Sequence, residues 1–184
     1  NMLAIEPLHS RAPDARLELG ATLLTLKRFG EAEEQIKAVV NTTNLDSYLV
    51  VRSLVLLARI HLHEKQYHIA EDYLWRAFHR YNRSDKSGEY VDAYLMGSIR
   101  YYFARIKHSV MQGIEPIQPG DSSSQEKERS FKSIEIRTKW LIEAQAGYLR
   151  VIRGGEPHWA IAAGNEIGVL YEDLFQQLGS LPIP

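Results

Sequence analysis

The feature that most restricts what this chain can fold into is an internal repeat. With a shift of 38 positions, residues 14–42 fall on residues 52–80. Leu19-Gly20 meets Leu57-Ala58, Leu24 meets Leu62, Lys27 meets Lys65, Phe29 meets Tyr67, Ala32-Glu33 meets Ala70-Glu71, Ile36 meets Leu74 and Val39 meets Ala77. A period of this length marks stacked units, each too small to bury its apolar face alone. Apolar positions recur at helical spacing in both copies, which predicts two helices per unit, broken near Arg28-Phe29-Gly30 and Gln66-Tyr67-His68. Antiparallel helices that cross closely need a small residue at the crossing, a role open to Gly20, Ala32, Ala58 and Ala70. Leu23, Ile36, His61 and Leu74 then fill the flanking space.

The rest of the chain continues in helices. Asn41-Thr42-Thr43-Asn44 connects the two copies, and Asp46 or Ser47 is the expected N-cap of the next helix. A third helix is predicted from Glu89 to about Gln112, packing through Tyr94, Gly97, Ser98, Tyr101, Tyr102 and Ile106. Residues 113–124, rich in proline, glycine and serine, must be a loop. Ser123 and Glu126 form a capping-box signal for a long helix that Gly154-Gly155 ends after Arg153. Pro157 suits the first turn of a terminal helix, which stops before Pro182 and has no partner helix in this reading. The expected fold is all-α, a single domain over 1–184: an α-α superhelix with hairpins at about 14–42, 52–80 and 89–153, the third elongated, and a terminal helix at 157–179.

The paired small residues, with Phe29 and Tyr67 just ahead of the second helices, resemble the tetratricopeptide repeat (TPR). The segment from Ala144 onward, with Tyr148, Val151-Ile152, Trp159-Ala160, Ala162-Ala163, Ile167-Gly168, Tyr171-Glu172, Leu178 and Pro182-Ile183-Pro184, is similar to the ends of tetratricopeptide proteins in the cell envelope of delta-proteobacteria, including a gliding-motility component. That resemblance implies a non-catalytic assembly protein of the periplasm or cell envelope, with the cytoplasm as the alternative compartment.

Charge and composition narrow the function classes. The 22 basic and 23 acidic residues leave a formal charge of −1, so no global field draws the protein to nucleic acid or anionic lipid. With no cysteine, disulfides, thiolate metal sites and a cysteine nucleophile are excluded. No apolar run is long enough to span a bilayer, so no direct membrane insertion is expected. The opening Asn1-Met2-Leu3-Ala4 lacks the parts of a signal peptide, and both ends read as cuts from a longer protein.

Candidate chemistry is sparse. His61, His63 and His68 invite comparison with the HExxH zinc motif, but the histidine after His63-Glu64 comes one position too late, and the repeat places a helix break inside the stretch. His61 aligns with Leu23 and is expected in the packing layer, so no metal or cofactor is assigned. Carboxylate pairs such as Glu33-Glu34, Glu71-Asp72 and Glu172-Asp173 are adjacent on helices and point apart, which does not make an acid–base pair. Tyr73, Trp75, Trp140, Tyr148, Trp159 and Tyr171 fit helix packing. The first helices of the hairpins would form a binding face from Arg52, Val55, Arg59, Leu62 and His63, with Leu95, Ile99 and Tyr102. Arginine beside apolar side chains suits a protein or peptide partner bearing a carboxylate. The alternative is a structural spacer that forms homo-oligomers through the exposed C-terminal helix.

Overall fold

A computed structural model describes residues 12–88, 91–114 and 124–179, and every regular element in them is an α-helix. The helices are α1 (Ala12–Thr25), α2 (Phe29–Val40), α3 (Ser47–His63), α4 (Tyr67–Ser87), α5 (Ala93–Gln112), α6 (Ser124–Arg153) and α7 (Pro157–Gly179). They fall into two compact units that divide between Ile99 and Arg100, with α5 running through the boundary. The expected start at Glu89, Ser123 of the capping box and the loop from 115 to 123 fall outside the described residues, while Ser124, expected at the end of that loop, begins α6.

In the first unit α1 packs on α2, α2 on α3 and α3 on α4, while α1 also touches α3. The core is built from Leu17, Leu24, Ala32, Ile36, Val39, Leu49, Leu57 and Ile60. At the α1–α2 crossing a Cβ placed on Gly20 would meet Ile36 Cγ1 at 2.5 Å and Cδ1 at 3.2 Å. Ile36 therefore occupies the space that a side chain at position 20 would need. Ala32, Ala58, Ala70 and Leu74 are all buried, as the repeat requires.

One turn geometry joins both pairs of helices in this unit. Lys27 and Lys65 both lie in the left-handed region, at φ 59° and 60°. Lys27 N–H donates to the Leu24 carbonyl (3.0 Å) and Arg28 N–H to that of Leu23 (2.9 Å). In the second copy Lys65 donates to Leu62 (3.1 Å) and Gln66 to His61 (2.8 Å). This is a Schellman ending, which satisfies two carbonyls of the outgoing helix in a single reversal. The next helix starts at once, with Ala32 N–H donating to Arg28 and Ala70 N–H to Gln66, both at 3.0 Å. The following helix, α3, is capped by Asp46, whose Oδ1 accepts from Leu49 N–H at 2.7 Å.

The second unit uses a related reversal, with a left-handed residue and one of the two Schellman bonds. Gly155 has φ 77°, its N–H donates to Ile152 (3.1 Å), and Ala160 N–H donates to Glu156 (2.9 Å). Arg28-Phe29 and Ala32 thus correspond to Gln66-Tyr67 and Ala70, and again to Glu156-Pro157 and Ala160. This corrects the reading of a terminal helix without a partner: α7 packs along α6 through a related turn. Glu156 Oε2 also accepts from Trp159 N–H at 2.8 Å, which caps the new helix. Met111 and Ala104 of α5, Leu141, Ala144, Tyr148 and Val151 of α6, and Trp159, Ala163 and Leu170 of α7 share one core. Gly147 lets α6 approach α5, since a Cβ there would sit 2.7 Å from Ala104 Cβ and 3.2 Å from its Cα.

Among the predicted packing residues of α5, Gly97, Ser98 and Ile106 are buried, Tyr101 and Tyr102 are half-buried, and Tyr94 is exposed. Trp75, read from sequence as a packing residue, is also corrected: it is 48% exposed, stacking on His79 and meeting Phe78 edge-on. Helical spacing places it with the solvated residues Glu71, Asp72 and His79 rather than with Leu74 and Ala77.

Two stability experiments test this account. Gly20→Ala is expected to lower stability by about 1 kcal/mol, because overpacking against Ile36 outweighs the gain in helix propensity. Adding Ile36→Val should return part of the loss, as read by the thermal melt of the double variant. Lys27→Gly and Lys65→Gly should each raise stability by about 1 kcal/mol, since glycine adopts the left-handed conformation without a Cβ penalty. Gly155→Lys should lower it by a similar amount.

Candidate functional site

The helix α3 is enclosed on most of its circumference: Ser47, Leu49, Val51, Ser53 to Ala58, Ile60 and His61 are buried. What remains accessible includes one strip, Tyr48, Arg52, Arg59 and His63, at spacings that share a helix face. Three of the residues assigned to a binding face from sequence therefore do fall together. Val55, on the turn between Arg52 and Arg59, is buried at the side of this strip.

Side-chain contacts hold the strip in place. Arg52 Nη1 pairs with Glu18 Oε1 of α1 at 2.5 Å, which holds the Glu18 carboxyl below its ordinary range and raises the guanidinium. His63 stacks on Phe29 of α2 with ring centroids 5.3 Å apart. Both contacts position polar groups at a surface backed by the core of the unit. Leu95 and Ile99 are not part of any accessible face: they are 4% and 0% exposed, so both are corrected to core residues. Their spacing fits a buried stripe as well as an exposed one, and periodicity does not say which side of a helix is covered. Tyr102 belongs to the second unit, where its ring meets Tyr101 and Trp159 edge-on.

His61 occupies the packing layer, as its alignment with Leu23 predicts. It is buried and stacks on Tyr73, with Nδ1 2.7 Å from Gln66 Oε1 and Nε2 3.4 Å from Glu33. Among the described residues no group of three or more His, Asp or Glu side chains is arranged to hold a metal ion.

The second unit contains a polar cluster that sequence reasoning missed. His108 of α5 is fully buried. Its Nδ1 edge lies 3.2 Å from Glu166 Oε2 of α7, 3.2 Å from the Tyr148 hydroxyl of α6 and 3.2 Å from Arg105 Nη1. Its Nε2 faces Asp173 Oδ2 at 3.5 Å, and that carboxylate accepts from Gln112 Nε2 at 2.9 Å. The Tyr101 hydroxyl donates to Glu166 Oε1 at 3.0 Å, and Arg105 reaches Oε2 at 3.4 Å. Glu166 and Asp173 are two helical turns apart on α7, so both face the imidazole.

The hydrogen bond from His108 is the main reason that the Glu166 carboxyl stays below its ordinary range, followed among the lowering causes by Arg105 and Tyr101; burial works against them. Burial raises the phenols of Tyr101 and Tyr148. With the His108 ring enclosed, this arrangement clamps α7 to α5. Sequence offered one signal for it, the spacing of two carboxylates toward the packed face of α7, but their partner lies more than fifty positions away.

No protein family, curated protein or solved structure matches this chain.

The lowered Glu166 pKa has a signed consequence. Between the folded and unfolded pKa values the unfolded chain binds more protons, so the stabilisation is complete above the unfolded carboxylate pKa and is lost as pH falls through the lower, folded one. Glu166→Gln should lower stability at neutral pH by about 1–3 kcal/mol and flatten the acid-side decline. Thermal melts from pH 7 down through the carboxylate range check both.

Proposed function

We propose that this chain is a tetratricopeptide-like α-α superhelical scaffold that binds a protein or peptide partner without catalysing a reaction. The reading rests most on the α3 strip. A helix enclosed on most sides keeps two arginines, a tyrosine and a histidine in one accessible row, two of them fixed by neighbouring helices. The recurring helix–turn–helix geometry supports the repeat assignment, because the same Schellman ending and the same alanine after the turn recur in successive pairs.

Preformed arginines suit a carboxylate-bearing segment, since a guanidinium offers paired donors in a fixed plane. Tyr48 and the ring of His63 supply flat contact area at small entropic loss. Arg52 already holds Glu18, so an incoming carboxylate either exchanges with Glu18 or joins it. Binding on such a surface requires little rearrangement.

A second reading, a structural domain that associates through its last helix, is favoured by the outer face of α7. Ile161 and Phe175 are 68% and 69% exposed there, unusually high for large apolar residues.

The scaffold reading is tested by affinity capture with the full chain, comparing the natural sequence with Arg52→Glu/Arg59→Glu. Loss of the captured partners, with the helical fold retained by circular dichroism, is the expected result. Retention of the same partners at the same strength would remove the α3 strip as the recognition surface.

A further inference from the structure

The face of α7 opposite the core of the second unit has an internal symmetry. Trp159, Ala163 and Leu170 point into the core. The other side presents Ile161, Gly164, Gly168, Glu172 and Phe175, all exposed. Ile161 and Phe175 stand seven positions before and after Gly168, about 10 Å along the helix in each direction. Cβ atoms built on Gly164 and Gly168 would meet nothing within 4 Å, so their lack of side chains serves no packing contact among the described residues.

We infer that this face pairs with α7 of a second copy of the chain, antiparallel, about a two-fold axis at Gly168. The inference rests on the second reading above and specifies its partner and register. Two helices approach most closely where small residues cross, and they diverge away from that point. In this register Gly168 meets Gly168 at the crossing, while each Ile161 meets the other copy's Phe175 where the gap has widened enough for large side chains. A two-fold contact requires this self-complementarity: residue i touches j, and j touches i. An unrelated helix would not need equal spacing on the two sides of the glycine.

Charge agrees with the same partner. Glu172 is the one charged residue of the stripe, and the register places it against Gly164 of the other copy, where there is room. The two Glu172 carboxylates then stand about 12 Å apart along the axis, beyond the roughly 8 Å screening length of physiological salt. One helix per copy buries on the order of 1,000 Å², the lower edge for a specific interface. The dimer is therefore concentration-dependent.

The absence of cysteine makes the register directly measurable in the full chain. Gly168→Cys should cross-link to a dimer under mild oxidation, because a residue on the axis meets its own copy. Ile161→Cys and Phe175→Cys should each cross-link at least ten-fold more slowly, whereas the double variant Ile161→Cys/Phe175→Cys should cross-link readily. Sedimentation should show a monomer–dimer equilibrium that Phe175→Glu or Gly168→Arg weakens at least ten-fold with the fold intact by circular dichroism.

Faster cross-linking of either single end variant than of Gly168→Cys would overturn the antiparallel register, leaving self-association itself standing. A natural chain that is monomeric at all concentrations, with Gly168→Cys uncross-linked, would overturn the pairing and the second reading together. Partner capture through the α3 strip is read separately, so the scaffold reading does not depend on this outcome.

Discussion

The close crossing of helices at residues without side chains governs both units. Gly20 admits Ile36 between α1 and α2, and Gly147 admits Ala104 between α6 and α5. Each contact brings two backbones near enough for the flanking leucines and isoleucines to interdigitate, and the burial that follows supplies most of the favourable free energy. The Schellman turns at Lys27 and Lys65, with the matching reversal at Gly155, feed this geometry. By reversing the chain through one left-handed residue, each turn sets the second helix against the first in a fixed rotation and places an alanine at the start of the contact.

The two units then diverge in how they hold their later elements. The first relies on apolar packing, with α3 so deeply enclosed that little except the row from Tyr48 to His63 remains accessible. In the second, an apolar core is joined to a half-buried polar cluster in which one enclosed imidazole faces two carboxylates of α7. Such a cluster contributes little net stability compared with an apolar substitute, but losing a carboxylate leaves the enclosed His108 ring short of a partner. It fixes the rotation of α7 about its own axis, and this rotation determines that Ile161, Gly168 and Phe175 face outward.

The two surfaces are therefore products of the packing behind them. On α3 the enclosed side leaves arginines and rings in a row, held by Glu18 and Phe29, which suits recognition of an acidic segment. On α7 the clamp to α5 turns a glycine-centred apolar stripe toward solvent, which suits a second helix of the same sequence. The exposed Trp75, stacked on His79, shows that aromatic residues in a helical repeat are not all drawn inside.

What the amino-acid order determined by itself was local. The repeat located the first two helix pairs, their breaks and the small residues at their crossings, and local signals gave a cap at Asp46 or Ser47, the stop at Gly154-Gly155 and the start at Pro157, because each depends on neighbours within a turn or two of helix. His61 was legible as a packing residue for the same reason, through its alignment with Leu23. Only the tertiary structure decided that Leu95 and Ile99 face inward, that α7 pairs with α6, and that His108 meets Glu166, Asp173 and Tyr148. A helical period fixes which residues share a face but not which face is covered; that depends on how helices distant in the chain rotate against one another, a consequence of side-chain volumes and buried charges acting together.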